Sequence, residues 1–554
     1  MKLIDQKTKK IMEECKERAR DSGLKFDGES LEYIVTNKDL LELSSKNMIP
    51  TLYDYWLDDV KILRGEKIYE IFPDNPYETV INTMPAISFY NDNNSDWMNI
   101  MIFYHVLGHL DFFQNNFMFK HTRKDDFCGQ ALADKRLINK MKSEHGKWVD
   151  YAIESTLGID NLVNYYNNLS KINLPEKIKS SEKIDYYFDI FLQDIIKVSH
   201  DKYLEEIERY NQINKKNCKE KESIFFSETT DKYPEFESIF KKHMERKKER
   251  PRDVIEFLME NSKFLNKDGN EWIKSVMQII RNTSMYFQPQ MRTKIFNEGW
   301  ASYWHEKLFL KDERIKGHEV DFAKIHSKVT SLNRVGLNPY AIGMRIVQYL
   351  EDGAERGKFS REFEKIREIE KRKNCDKKTG LGREFIFNVR ENFNDFTLIN
   401  TFVDEEFVNA YNLFIVGKRL NPDKEVWEYY IKSKKSEDYK KMLLEKLYHP
   451  PFITIDESKT TEDTLYLKHY FEGKELIKDF IPNTMIGIGF LWDGKVKLDT
   501  TEVKHDNSKE KIKYQKVIYT LDNKKVSKEK FDLDYETYGE YIQDSLKKFF
   551  GNVP

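Results

Sequence analysis

Two adjacent prolines, Pro450 and Pro451, divide the chain into two kinds of pattern. Before them, apolar residues recur mostly with the 3.6-residue period of helices. After them come short alternating runs separated by turn residues. Proline lacks the amide hydrogen and disfavours helical backbone in the residue before it, so a helical run ends there. The expected fold is therefore mostly α with a short sheet element, followed by a small C-terminal α+β domain over residues 450–554. Residues 1–70 read as an N-terminal helical segment, with "TLYDYWLDDVKILRG" its clearest amphipathic stretch. Residues 71–449 read as a helical core, opening on the β-branched and aromatic "YETVINTMPAISFYNDNN" with Pro85 inside, the sheet element. Within that core, 201–255 carry "NKKNCKEKES" and "KKHMERKKERPR", and read as a charged insertion with a solvated face. In the last domain "FLWDGKVKL" reads as a hairpin through its Asp-Gly turn, and "KVIYTLDNKKVSKEKF" as another. "YETYGEYIQDSLKKFF" reads as a closing helix.

A chain of 554 residues exceeds one ordinary core, which agrees with this division. Its 92 Lys and Arg nearly cancel its 94 Asp and Glu, an argument against a whole-molecule nucleic-acid binder. The N-terminus is charged throughout and carries no apolar leader, and "MIGIGFLW" is far too short for a membrane span. Cys15, Cys128, Cys218 and Cys375 are scattered and form no CxxC pair, which suits a reducing cytoplasm.

Two helices carry chemistry. In "HVLGHLDFFQNN", with Ser95 as the expected N-cap upstream, His105 and His109 are one turn apart and share a face with Gly108. This is the spacing by which two imidazoles grip one metal ion, and the glycine permits close approach there. In "NEGWASYWH" a helical wheel puts Glu298, Ala301, Ser302 and His305 on one face and Trp300, Tyr303 and Trp304 on the other. The aromatics read as core, the polar face as a site. Glu298 and His305 are separated by about 10.5 Å of helix rise, too far to share one ion without distortion. The expected ligand set is therefore His105, His109 and Glu298, with His305 behind it or as an additional ligand. His326, in "KIHSKV", is either a further ligand from a third helix or a buried histidine with a backbone partner. The same groups could instead form a buried hydrogen-bond network.

At these residues the sequence resembles the stage V sporulation protein R (SpoVR) family. The resemblance is carried by "VINTMPAISF", "HVLGHLDFFQNNF", "YFQPQMRTKIFNEGWASYWH", "FAKIHSKV", "NPYAIG", "NFNDFTLINTF", "LYLKHYFEGKEL" and "FLWDGKVKL", spread over residues 60–500. It implies a bacterial cytoplasmic protein linked to building the spore cortex, a peptidoglycan layer, or to stress physiology in non-sporulating bacteria. It also implies partners: a serine-kinase-like AAA+ protein and a von Willebrand-type domain protein. No established catalytic activity comes with it. A more distant similarity joins "HVLGH" and "NEGWASYW" to the zinc helices of gluzincin aminopeptidases, in which the matching Glu is the third ligand. That similarity implies a gluzincin-like arrangement and a divalent metal ion, zinc first. It breaks at Val106, where those enzymes carry the Glu that activates water.

Other candidates read as structural. Asn115 and Asn116 orient ligands or cap a helix, Glu154 is a helix-face charge, and Gly487 and Gly489 lie in an expected β context with no nucleotide loop. Two functions follow: a regulator or scaffold with a buried His/Glu site, favoured by Val106, and a metal-dependent hydrolase lacking the usual general base.

Overall fold

The computed structural model of the chain describes residues 2–532 except 37–77, 123–126, 164–180, 216–220, 249–252, 333–335, 422–424, 507–510 and a few single positions. The expected helices at 51–65 and 535–550 lie outside the described residues.

Near the N-terminus, helix α1 (Gln6–Asp21) is flanked by strands β1 (Lys2–Leu3) and β2 (Ser30–Val35). This stretch is thus not helical throughout. "SLEYIV" alternates and finds a parallel partner in β4 (Ala86–Asn91), which also pairs antiparallel with β3 (Glu78–Ile81). The sheet order is β1-β2-β4-β3. Pro85 stands between β3 and β4, outside both, where no ladder hydrogen bond is lost.

Helix α2 (Asp96–Asn115) follows, and every residue from Ile100 to Phe113 is buried. A helix apolar on all sides belongs in the middle of a core. Its partners are α1 and, from far along the chain, α10 (Lys294–Phe309). Between them lie α3 (Phe127–His145), α4 (Trp148–Leu157), α5 (His200–Lys215), α6 (Lys221–Lys232), α7 (Phe236–Lys248), α8 (Val254–Asn261) and α9 (Glu271–Arg292). After α10 come α11 (Glu319–Val329), α12 (Pro339–Glu355), α13 (Gly382–Asn392) and α14 (Asp395–Phe402).

The charged insertion shares a separate core with the segment just before it. Tyr187, Phe188, Phe191, Phe225, Phe226 and Phe236 form a buried aromatic cluster, and Glu206 pairs with Arg209 and Lys232 beside it. Its charge run hides aromatics spaced for a small helical bundle.

The C-terminal part has a five-stranded sheet ordered β11-β10-β9-β8-β7 when its strands are numbered after the exposed hairpin β5–β6 (Ile415–Asn421, Val426–Ser433). These strands are β7 (Phe452–Ile455), β8 (Thr464–Tyr470), β9 (Lys495–Asp506), β10 (Lys511–Asp522) and β11 (Lys525–Asp532). The turn at Asn523 and Lys524, both at positive φ, closes the expected β10–β11 hairpin. The Asp-Gly hairpin is not formed. Strands β8 and β9 are parallel, so a crossover must join them, and the apolar run becomes helix α15 (Ile481–Trp492). Asp493 caps that helix in the left-handed region at φ 62°, donating its amide to Gly489 O at 3.0 Å. Gly487 and Gly489 are consequently helical, not in a β context. An Asp-Gly pair after an apolar run marks a helix end as well as a hairpin.

One hydrophobic cluster contains residues of α3, α4, α8 and α9 together with Ile455, Leu467, Met485, Leu491, Val496 and Val517 of the C-terminal part. A nick beside Pro450 should therefore leave two pieces that co-elute on gel filtration. Elution as two separately folded species would instead give the C-terminal unit independence.

Helix α10 lies between α2 and α12, and glycines set both distances. A Cβ on Gly108 would stand 2.7 Å from Ala301 Cα. A Cβ on Gly343 would stand 2.0 Å from Ile295 O, and one on Gly299 2.1 Å from Gly343 C. The obstructing atoms are backbone, so relief requires moving whole helices. Gly343→Ala should cost about 3 kcal/mol or more, the upper end of overpacking penalties. A loss under about 1 kcal/mol on urea denaturation would contradict this packing.

Candidate metal centre

Helices α2 and α10 bring three donors together. Glu298 Oε2 lies 3.6 Å from His109 Nε2 and 3.8 Å from His105 Nε2. One ligand atom from each of the three residues lies within 4.8 Å of the others. Bonds of about 2.0–2.2 Å to one zinc ion would place tetrahedral ligands roughly 3.5 Å apart, so the spacing is close to what an ion needs. Both imidazoles are buried, and the Glu298 side chain keeps 17% exposure.

The remaining nitrogen of each imidazole is held. His109 Nδ1 lies 2.9 Å from Asn297 Oδ1. An amide oxygen only accepts, so Nδ1 carries the proton and Nε2 presents a lone pair to Glu298. His105 Nδ1 lies 2.8 Å from His305 Nδ1, His305 Nε2 lies 2.9 Å from His326 Nδ1, and His326 Nε2 lies 3.5 Å from Glu306 Oε1. The row ends on a carboxylate, an acceptor. With a proton on His326 Nε2 toward Glu306, His305 donates to His326 and His105 donates to His305. That ordering leaves His105 Nε2 with its lone pair toward Glu298.

The ordering requires neutral rings. Burial pushes His109 down to about 4, with repulsion from His105 adding to it against the pull of Glu298 and Asn297. Burial also holds His305 well below the usual imidazole range and brings His326 to about 4. Burial pushes Glu298 up, and attraction to His105 and His109 in their protonated forms outweighs it and holds the carboxylate below its usual value. Its Oε2 is buried and has no hydrogen-bond partner among the described residues.

The expected ligand trio is thus brought together, and His305 and His326 stand behind His105 outside that trio. Val106 is fully buried in the hydrophobic core. Asn115 and Asn116 are structural. Asn116 accepts from Met118 N and donates to Arg390 O and Phe393 O, and Asn115 donates to Lys25 O and Asp111 O. Ser95 takes the N-cap position of α2 in extended backbone but makes no side-chain cap bond.

A family model described as "SpoVR like protein" matches residues 4–449. The chain belongs to the SpoVR family. A curated relative of this SpoVR chain is "Uncharacterized protein YcgB" of Escherichia coli (strain K12), 24% identical over 330 residues. That alignment covers 57% of this chain and 58% of the relative, so the chain spans little more than half of the relative's length. No solved structure matches. No helix among the described residues is long and apolar enough to cross a membrane.

Several supporting residues in this SpoVR chain carry no sequence signal of their own. Asn297 stands inside "NEG" but its hold on His109 depends on the helix pairing. Asp395 accepts from Ile295 N and Phe296 N, both at 2.8 Å, and so caps α10 from another helix, since Thr293 makes no side-chain cap. Burial pushes Asp395 up to about 7 despite those two donors. The Tyr340 ring lies 6.1 Å from His105, and Phe113 stacks at 5.9 Å on His109.

Two residues beyond His109, Asp111 belongs to a buried ion pair. Arg390 Nε is 3.3 Å from Asp111 Oδ2, both side chains being fully buried. Trp300 Nε1 donates to the same oxygen at 2.8 Å, and Lys25 N to the other at 2.7 Å. Arg390→Leu should leave the Asp111 charge uncompensated and cost about 3–5 kcal/mol. A chemical-denaturation loss within about 1 kcal/mol of wild type would show that the pair contributes nothing.

Proposed function

We propose that this SpoVR-family chain is a metal-dependent protein in which His105, His109 and Glu298 hold one divalent cation, zinc first, with a fourth position open. The observation that carries the reading is the convergence of three acceptors. Two imidazole nitrogens and a carboxylate oxygen face one another within 4.8 Å, and burial disfavours the charged form of His109. A divalent cation at their centre would be attracted to the carboxylate and to both nitrogen lone pairs at once. Two His and one Glu form a donor set that zinc enzymes use, with a position left for water or substrate.

Bound there, the ion would supply Lewis-acid polarisation of a water or a carbonyl. The chain's own residues do the rest. Asn297 and the His305–His326–Glu306 row orient the two imidazoles. Val106 takes no proton, so hydrolysis by this site relies on a base other than the one gluzincins use. The family's link to the spore cortex makes a peptidoglycan-related polymer the favoured substrate class. The AAA+ and von Willebrand-type partners remain part of this proposal through the family alone.

A second reading is favoured by the burial of Val106: the centre fastens α2 to α10 in a regulator or scaffold that performs no chemistry. Both readings share the ion, and one set of measurements separates them. Protein purified without a His tag should contain about one metal ion per chain, and Glu298→Gln should lower that content at least tenfold. Removing the carboxylate charge removes much of the hold on a divalent ion, while Gln still hydrogen-bonds to neutral imidazoles. Trp304→Ala is the control. It should cost about 3–5 kcal/mol through the cavity it leaves, and metal per folded molecule should not change. Equal metal content in wild type and Glu298→Gln sinks the metal centre. Chelation that lowers the thermal midpoint without affecting any hydrolysis supports the scaffold reading.

A further inference from the structure

Away from the His/Glu cluster, a cleft of about 580 Å³ lies where α4, α9 and α15 meet. Ligand sites are commonly of this size and lie between structural units. This one joins the helical core to the C-terminal part.

Its walls are mostly apolar. Leu157, Ile280, Phe287 and Met291 line it, together with the exposed Phe480. Gly487 of α15 faces the space, and a Cβ added there would meet nothing within 4 Å. The polar groups converge from three sides: Ser284 and Thr283 from α9, Asn483 and Thr484 from α15, and the Tyr448 hydroxyl. Tyr448 accepts from Gln288 Nε2 at 3.1 Å, which leaves its own O–H to donate elsewhere.

The charge of the lining is one-sided. Glu154 and Asp160 are its ionisable carboxyls, and no Lys, Arg or His lines it among the described residues. Arg292, close enough to be felt by Tyr448, directs its Nε to Gln288 Oε1 at 2.8 Å within α9. Asp160 pairs with no cation among the described residues. Burial pushes its carboxyl up to about 6, against the help of the Asn161 backbone amide. A half-buried carboxylate among apolar walls gains most from a cation that brings its own apolar body and displaces water.

We infer that this cleft binds a small organic cation, an amine with an aromatic or branched aliphatic body, with its charged end at Asp160 and its body against Phe287 and Met291. A bound molecule would bridge α15 to α9. Met291 stands seven residues before Glu298, so occupancy would bear on the helix that leads into α10.

The test uses the full chain and three probes of matched shape: 2-phenylethylammonium, 2-phenylethanol and 3-phenylpropionate. Binding is read by ligand-observed NMR and calorimetry. The ammonium probe should bind in the millimolar range or tighter, at least about tenfold more tightly than the carboxylate probe. Asp160→Asn should remove the preference of the ammonium over the alcohol. Gly487→Trp should fill the cleft and weaken all binding at least about tenfold, with circular dichroism and thermal midpoint unchanged. Equal affinity for the ammonium and carboxylate probes overturns the inference, as does undiminished binding in folded Gly487→Trp. Absence of binding by all three probes overturns it as well. If Gly487→Trp fails to fold, the charge preference and its loss in Asp160→Asn decide.

Discussion

The contact on which this structure depends is backbone against backbone. Helix α10 touches α12 through Gly299 and Gly343, and α2 through Gly108 and Ala301. Bulkier residues would hold the axes farther apart, because interaxial distance follows the side chains at the crossing. Close approach is what allows a short carboxylate on α10 to reach two imidazoles on α2. The position of Glu298 next to Gly299 is thus not incidental. The residue that offers the charge adjoins the residue that lets its helix lie deep in the core.

Depth has an electrostatic consequence. Ionisable groups taken out of water either become neutral or acquire partners. Here burial drives His109, His305 and His326 toward the neutral form, with His109 held by Asn297 and His305 set between His105 and His326. Glu298 is held below the usual carboxylate range against the push of burial. The Asp111–Arg390 pair answers the same problem differently, by compensation within a ring-lined pocket beside Trp300 and Phe387. Two solutions to one solvation problem occupy adjacent turns of α2.

Much of this was legible from helical periodicity. The wheel places His105, Gly108 and His109 on one face of α2 and Glu298 and Ala301 on one face of α10, and these faces meet. Period alone exposes which residues share a side, so it finds groups that act along one helix. It cannot show which helices pair. Asp395 caps a helix from 100 residues away, and Glu306 matters only because α11 lays His326 beside it. Local patterns also misled where one dipeptide serves two geometries. Asp493-Gly494 ends a crossover helix because the flanking strands run parallel, a fact of long-range pairing. In 201–255 the charges dominate the composition, and the aromatics that build a separate core are masked by them.

The uniform burial of α2 bears on how the chain is made. Its early neighbours, α1 and the small sheet, leave the ribosome before or just after it and can cover part of its surface. The side carrying His105, Gly108 and His109 has no such early cover. Its partner α10 follows only after the 189 residues between His109 and Glu298 have been added. At roughly 5–20 residues per second this takes about 10–40 s, long compared with helix formation or collapse. For that interval the nascent chain presents a preformed apolar stripe with two imidazoles on it. A stripe of that kind invites holding factors and stray soft metal ions alike. Synthesis order thus makes shelter of α2 a condition of reaching the native state.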